Sequence, residues 1–223
     1  MLWQAAALQA ATTVTNIAAG GYFSLFLESD RSSWGMGDNS NGQLGDGTFN
    51  SASRPKKLAP NDVVAIAAGF SHSLFLKSDG SLWGVGRNLE GQLGVQTLTP
   101  EVTEPEEIVS NGVVTIAAGS DHSLFLKSDG SLWAMGYNSN GQLGDGTSGY
   151  MNYTNRPEKI ISNGVIAISG GSFHTLFIES NGSLWAMGAN EFGQLGNGTT
   201  SEFRQTTGNR RQQRRGGRCW QCP

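Results

Sequence analysis

Few side chains in this sequence could do acid–base or metal chemistry, and the three histidines come first. His72, His122 and His174 occupy one position of a repeated pattern, which Phe23 fills in the first unit. A metal site or a general base would need imidazoles that converge, and phenylalanine can replace neither. The pattern therefore predicts structural histidines that hydrogen-bond the backbone between strands, because buried polar groups need partners.

Two other segments look like sites when taken alone. Cys219 and Cys222 have the spacing of a redox pair or half a zinc site, but a second ligand pair is missing. The segment 38–43 fails the spacing of oxygen ligands in a calcium loop, and the glycine-rich stretch after it lacks the lysine of a phosphate loop. We predict no cofactor, no metal, no catalytic residue and hence no enzyme.

The elements that would position any site come from an internal repeat. A Gly-Gln-Leu-Gly motif recurs at spacings of 49, 50 and 52 residues, and a tryptophan lies eight residues before each copy. These structural repeat residues are the glycines Gly42, Gly91, Gly141 and Gly193 and the tryptophans Trp34, Trp83, Trp133 and Trp185. The glycines permit tight turns, and we expect the tryptophans to pack in the core.

Each unit reads as four β-strands. In the second unit, apolar runs at 63–66 and 72–77 are followed by an Asp-Gly turn and a third run at 81–85. Asp-Gly between two such runs is a strong hairpin signal. A proline-containing segment, such as 104–109, supplies a fourth strand suited to a sheet edge. The fold class is thus all-β, with four four-stranded antiparallel repeats of about 50 residues.

The motifs identify a family. Ile-Ala-Ala-Gly, His-Ser-Leu-Phe-Leu, Asp-Gly-Ser-Leu-Trp and Gly-Gln-Leu-Gly-Asp-Gly-Thr follow one another at fixed offsets, and over residues 14–200 the chain closely resembles the regulator of chromosome condensation repeat. That resemblance implies a β-propeller whose blades are these repeats, typically seven in a closed ring. Seven blades would need about 350 residues at this period. Four repeats therefore predict an incomplete seven-bladed ring, a closed ring of few blades, or half of an assembly.

The 223 residues divide into three parts. A lead covers 1–13, the repeats cover 14–200, and an arginine- and glutamine-rich tail covers 201–223, which we interpret as disordered or as the product of a frameshift or truncation. The net charge of −3 hides an acidic repeat region and a basic tail. Any nucleic-acid binding would therefore depend on the tail arginines, which are Arg204, Arg210, Arg211, Arg214, Arg215 and Arg218.

Loops that differ between blades are the best candidates for contacts with a partner. The candidates are an acidic group, Glu101, Glu104, Glu106 and Glu107, and an aromatic group, Tyr150, Met151 and Tyr153. We predict a non-catalytic protein–protein interaction module. We also expect that copies of the chain could associate and so cover open blade edges. The family resemblance leaves open exchange of guanine nucleotide on a small Ras-like GTPase. Without a signal peptide or membrane segment in the sequence, the compartment is unknown, with the cytoplasm as the default.

The first unit departs from the others at its hairpin turn. Arg31 stands where the next two units have Gly80 and Gly130. If Arg31 adopts a positive φ, it should cost about 1 kcal/mol relative to glycine. We expect the first unit to be the least stable.

Overall fold

The fold is all-β in a computed structural model that describes residues 12–97 and 99–201. Fifteen strands follow the predicted repeats. They are β1 (Val14–Ala19), β2 (Phe23–Glu28), β3 (Ser33–Gly37) and β4 (Ala52–Lys57) in blade 1; β5 (Val63–Ala68), β6 (His72–Lys77), β7 (Leu82–Arg87) and β8 (Glu101–Val109) in blade 2; β9 (Val113–Ala118), β10 (His122–Lys127), β11 (Leu132–Tyr137) and β12 (Tyr153–Ile161) in blade 3; and β13 (Val165–Gly170), β14 (His174–Glu179) and β15 (Leu184–Gly188) in blade 4.

Each blade is an antiparallel meander whose spatial order follows the sequence. Blades 1 to 3 have the four strands predicted, whereas blade 4 has three strands in the described residues. The position of a fourth strand in the last unit lies outside the described residues. No helix in the described ranges could span a membrane.

The first strand of every blade lies next to the axis. β1, β5, β9 and β13 are neighbours in sequence order, and the turns that follow them are joined by backbone hydrogen bonds. Gly21 N donates to Gly69 O at 3.2 Å, and Phe70 N donates to Ser120 O at 3.0 Å. Only glycine fits at position 170, where a Cβ atom would lie 2.6 Å from the carbonyl carbon of Ala118. The four blades thus form an arc around a common axis.

The hydrophobic core lies between blades. The second strand of each blade alternates its side chains, so leucines point to the following blade and a phenylalanine points to the preceding one. Leu74 and Leu76 of blade 2 pack in this way against Phe125 of blade 3, and all three are buried. The same arrangement recurs at the other two boundaries. Each boundary is therefore a small core made by two blades.

Two of the three histidines, His72 and His122, bridge blades, and their bonds go to hydroxyl groups rather than to the backbone as predicted. His72 Nε2 lies 2.9 Å from Ser123 Oγ, and His122 Nε2 lies 3.0 Å from Thr175 Oγ1. Ser123 donates its only proton to the carbonyl of Gln92, so His72 Nε2 must donate to Ser123, which assigns the tautomer. Backbone pairing was the wrong expectation because the first two strands already saturate each other's backbone groups along the ladder.

The tryptophans pack at these boundaries but also reach the outer rim. Trp83, Trp133 and Trp185 contact the core clusters and are half-buried. The indole nitrogen of Trp83 donates to Ser81 Oγ at 2.9 Å. The Gly-Gln-Leu-Gly glycines have positive φ as expected, for example 74° at Gly91.

The two ends of the arc expose what the boundaries bury. Ile17 is 77% exposed on blade 1, whereas Ile66, at the same repeat position in blade 2, is 7% exposed. Leu184 is 37% exposed on blade 4, although its counterpart Leu82 is fully buried. We call the side of blade 1 bearing Ile17, Phe26 and Trp34 the leading side, and the side of blade 4 bearing His174, Ile178 and Leu184 the trailing side.

Candidate protein-binding face

Antiparallel strand order gives the arc two faces of different composition. Two connections of each blade lie at the same edge of its sheet: the turn between the first and second strands, and the loop between the third and fourth strands. We call this edge of the four blades the loop face. The opposite edge, the turn face, holds the hairpins between second and third strands and the connections to the next blade.

Large apolar side chains gather on the loop face. Nine of the exposed large hydrophobic residues lie in its turns and loops or at their junctions with strands: Tyr22, Phe49, Phe70, Leu89, Tyr150, Met151, Tyr153, Phe173 and Phe192. They come from all four blades. Exposed apolar groups on this scale mark interaction sites in soluble proteins, and tyrosine, phenylalanine and methionine are enriched at interfaces.

In the described residues, the turn face has none of the exposed aromatic side chains that the loop face has. Its hairpins are tight Ser-Asp-Gly or Ser-Asn-Gly turns in blades 2 to 4, closed by hydrogen bonds such as Ser81 N to Asp79 Oδ1 at 2.9 Å. The hydroxyl and amide of Ser81 hold the pKa of Asp79 below its ordinary value. Among the described residues, the large apolar side chains exposed at this edge are aliphatic and lie in the first or last two residues of strands: Val14, Val64, Val114, Ile166, Ile178 and Leu184.

The centre of the loop face is a shallow opening at the axis. It has a volume of about 240 Å³ and is walled by the four turns that follow the first strands. Phe70 lines it and is in edge contact with Tyr22 at 5.6 Å. Elsewhere on the loop face, Tyr137 and Phe173 make a similar contact at 6.0 Å. Edge contacts of this kind fix the orientation of exposed rings.

The predicted aromatic group lies on this face. Tyr150 is 95% exposed, and Met151 and Tyr153 are exposed in the loop that leads into β12. Met151 has φ of 58°, which places it in the left-handed region. The three side chains thus extend from blade 3 at the edge of the loop face.

The predicted acidic group does not form one surface. All four glutamates lie on β8, the outer strand of blade 2. Glu101 begins the strand at the loop face, opposite Arg87, whereas Glu106 and Glu107 pair with Gly84 and Trp83 farther along the rim. Glu104 lines a cleft between blades 1 and 2. The strand spreads the carboxylates over its length because successive residues advance by about 3.3 Å.

A charged cluster interrupts the aromatic residues where blades 2 and 3 meet. Arg87 Nη2 contacts Glu90 Oε1 at 2.7 Å. Burial raises the pKa of Asp121, and Glu90 raises it further, while Arg87 opposes both. The described residues contain no group of three or more side chains that could hold a metal ion.

Sequence reasoning missed the contribution of the first turns, including Tyr22, Phe70 and Phe173. A signal was present, since the residues after Ala-Ala-Gly or its counterpart differ in every unit, as the loops after Gly-Gln-Leu-Gly do. A meander brings both segments to one edge of the blade, so the residues that vary between units in these two segments lie on the same surface. The tail arginines and both cysteines lie outside the described residues.

Comparisons with known proteins agree with this architecture. The family model for the RCC1-like domain matches residues 3–218. A crystal structure of yeast RCC1 (Prp20), bound to Kap60, is 26% identical with a TM-score of 0.77, and the match covers 88% of this chain and 48% of that one. Human WBSCR16 is 27% identical with a TM-score of 0.75, covering 85% and 51%. No curated protein sequence matches.

A second structure of Prp20p, from Saccharomyces cerevisiae, is 23% identical with a TM-score of 0.76. The match covers 91% of this chain and 51% of that one, and it supports the fold alone. The chain thus spans about half the length of the proteins that it matches. Its four blades correspond to half of a seven-bladed RCC1 propeller.

Proposed function

The chain belongs to the RCC1-like domain family, and from this premise we propose that it is a non-catalytic protein-binding module whose loop face contacts a partner protein. The observation that carries the proposal is the difference between the two faces. Seven of the nine large apolar side chains exposed on the loop face are aromatic, whereas those exposed at the turn face of the described residues are all aliphatic. Aromatic side chains are enriched in the buried centres of protein interfaces, which a polar rim surrounds.

Relatives support a protein as the partner. Yeast Prp20 is described as bound to Kap60, and its binding to Gsp1p and histones has been studied. Those partners are the relatives' own. For this chain we infer only the class of partner, because the loop-face residues differ from blade to blade and so can recognise one specific surface.

Matched variants of the two faces test the proposal. Tyr22→Ser, Tyr150→Ser and Phe173→Ser together remove aromatic anchors from the loop face, and Ser78→Ala and Ser128→Ala alter the turn face. Partner proteins are captured quantitatively from the native source, and the Kd of each captured protein is then measured. We expect the loop-face changes to weaken binding at least about 30-fold, since hot-spot aromatics each contribute about 2 kcal/mol. Equal losses in both sets of variants would refute the loop face as the binding surface.

The same captured proteins separate the module from the exchange-factor alternative. If a small GTPase is bound, release of its guanine nucleotide can be followed directly. Faster release in the presence of the chain would replace the binding module with an exchange activity. Binding without faster release is the expected outcome.

A further inference from the structure

A hydroxyl group joins the two blades at every boundary of the arc. In each case the hydroxyl of the following blade donates to the backbone carbonyl of the Gly-Gln-Leu-Gly glutamine in the preceding blade. Ser73 Oγ lies 2.6 Å from the carbonyl oxygen of Gln43, and Thr175 Oγ1 lies 2.8 Å from that of Gln142. The preceding blade therefore supplies an acceptor, and the following blade supplies the donor.

A histidine of the preceding blade adds a second bond at two of these boundaries. His72 Nε2 reaches Ser123 Oγ at 2.9 Å, and His122 Nε2 reaches Thr175 Oγ1 at 3.0 Å. Because each hydroxyl gives its only proton to a carbonyl, it accepts from the imidazole. We call the histidine, the hydroxyl and the glutamine carbonyl the boundary latch.

The two ends of the arc hold the two halves of a further boundary latch. Blade 1 has Ser24 where blade 3 has Ser123, and blade 4 has His174 where blade 2 has His72. Blade 4 also supplies the glutamine carbonyl, at Gln194. In the part of the chain that the structure describes, neither the Ser24 hydroxyl nor the His174 imidazole has a hydrogen-bond partner. This latch is completed only where a trailing side meets a leading side.

The apolar side chains around these polar groups match in the same way. On the leading side Phe26 is half-buried, whereas its counterpart Phe125 is fully buried by the leucines of blade 2. On the trailing side Ile178 is exposed, whereas its counterpart Leu76 is buried against blade 3. A leading side thus presents aromatic groups and a trailing side presents aliphatic groups, and these are the two sets that pack together at the internal boundaries.

We propose that two copies of this chain pack head to tail, with the trailing side of each copy on the leading side of the other and with His174 of one copy donating to Ser24 of the other. A second copy is the occupant that fits, since one chain displays both halves of the boundary. Reciprocal contacts of this kind close a two-fold dimer. Two copies of four blades make a ring within the range of about four to eight blades that is typical of propellers. This assembly goes beyond the proposed function, which concerns the loop face.

Sedimentation equilibrium of the whole chain tests the assembly. We expect a dimer whose dissociation constant rises about 30-fold in His174→Phe, because every dimer contains two latches. This variant keeps a side chain that blade 1 already has at the same position, Phe23. Ser24→Ala should weaken the dimer further, since the serine also donates to the carbonyl of Gln194. A monomer at every concentration would overturn the proposal.

The double variant tests whether these two side chains bind each other. His174→Phe combined with Ser24→Ala should be no weaker than Ser24→Ala alone, because that change already removes the bond from His174. Additive losses would show that the two side chains do not pair. Ser78→Ala on the turn face is the matched control and should leave the dissociation constant unchanged.

Chemical crosslinking tests the direction of the contact. In a chain whose Cys219 and Cys222 are replaced by serine, Ser24→Cys and His174→Cys are made separately, and one of the two is labelled with heavy isotopes. A short bismaleimide should join the Ser24→Cys chain to the His174→Cys chain in the mixture. Ser128→Cys on the turn face should be joined to neither. Crosslinks between two Ser24→Cys chains, or none in the mixture, would overturn the head-to-tail arrangement.

The dimer and the proposed function fail or succeed separately. The loop-face variants should dimerise normally, and the latch variants should still capture the partner of the loop face. Because association depends on concentration, measurements of folding stability belong below the dissociation constant, where the chain is a monomer.

Discussion

The boundaries between blades bury the same types of residue that the two ends of the arc expose. At the boundary of blades 2 and 3, Phe125 is fully buried against leucines, whereas Phe26, its counterpart on the leading side of blade 1, is partly exposed. Both rings stack on the tryptophan of the neighbouring strand, at 5.9 and 6.1 Å. The comparison teaches that a blade supplies half of each core and that the adjoining blade supplies the rest.

The largest effect is expected from self-association, because it would cover the leading and trailing sides as the boundaries between blades are covered. We expect the chain to associate as its concentration rises, since the leading and trailing sides carry the two complementary halves of a blade boundary. Light scattering coupled to small-angle scattering measures the mass and shape. Phe26→Glu should return the chain to a monomer, while Tyr150→Ser on the loop face should not. A monomer at every concentration would contradict this expectation.

Truncating the stacked phenylalanines gives the largest expected difference in folding stability. Phe125→Ala should lower the free energy of unfolding by about 3–5 kcal/mol, because it opens a cavity between two blades. Phe26→Ala should cost below about 1 kcal/mol, since its ring already meets solvent. Urea unfolding of both variants measures the contrast. Similar losses would show that the leading side is covered in solution.

The buried histidines make the boundaries sensitive to acid. Burial, together with a smaller contribution from the charges on His72 and His174, lowers the pKa of His122 to about 3. The unfolded chain has the higher pKa and takes up the proton first, so stability is intact above about pH 6.5 and falls as the pH decreases. Between pH 6.5 and 5 we expect a loss of roughly 2 kcal/mol from His122 alone.

His122→Phe supplies the control, since Phe23 fills the same position in blade 1. Urea unfolding at several pH values should show a shallower decline for this variant than for the original chain. Parallel curves would mean that His122 is not the titrating group.

The hydroxyl groups that bridge blades should show a smaller contrast. Ser123→Ala removes the partner of His72 Nε2 and of the Gln92 carbonyl, and should cost about 1–3 kcal/mol. Ser24 occupies the same repeat position on the leading side, where the described residues provide no preceding blade. Ser24→Ala should change stability within about 0.5 kcal/mol. If the two variants lose equal stability in denaturant unfolding, Ser24 has a hydrogen-bond partner as Ser123 does, and the expected contrast is wrong.

The smallest effect is expected at the hairpin of blade 1. Arg31 has φ of 66°, as the sequence suggested, so Arg31→Gly should stabilise the chain by about 1 kcal/mol. Gly130→Ala should do the opposite, since a Cβ there would lie 2.8 Å from Gly164 N. Hydrogen exchange should find blade 1 the least protected. Equal protection in all four blades would contradict the assignment of strain to Arg31.

Local pattern was enough to predict the strands. Alternating residues, Asp-Gly turns and the proline segments mark the elements of blades 1 to 3, because these signals act over a few neighbours in sequence. The repeated position of the histidines likewise indicated structure. Their partner was missed because Ser123 is 51 residues from His72, and only the packing of blades brings the two together.

The sequence alone determined the repeat, the strands and the family, since each depends on short-range patterns that recur at fixed offsets. The tertiary structure decided which side chains share a surface. It separated Glu104 from Glu101 along one strand and put Tyr22 and Tyr150 on one face. The physical reason is that a blade cannot bury its own apolar sides, so surfaces shared between blades form only when the blades pack together.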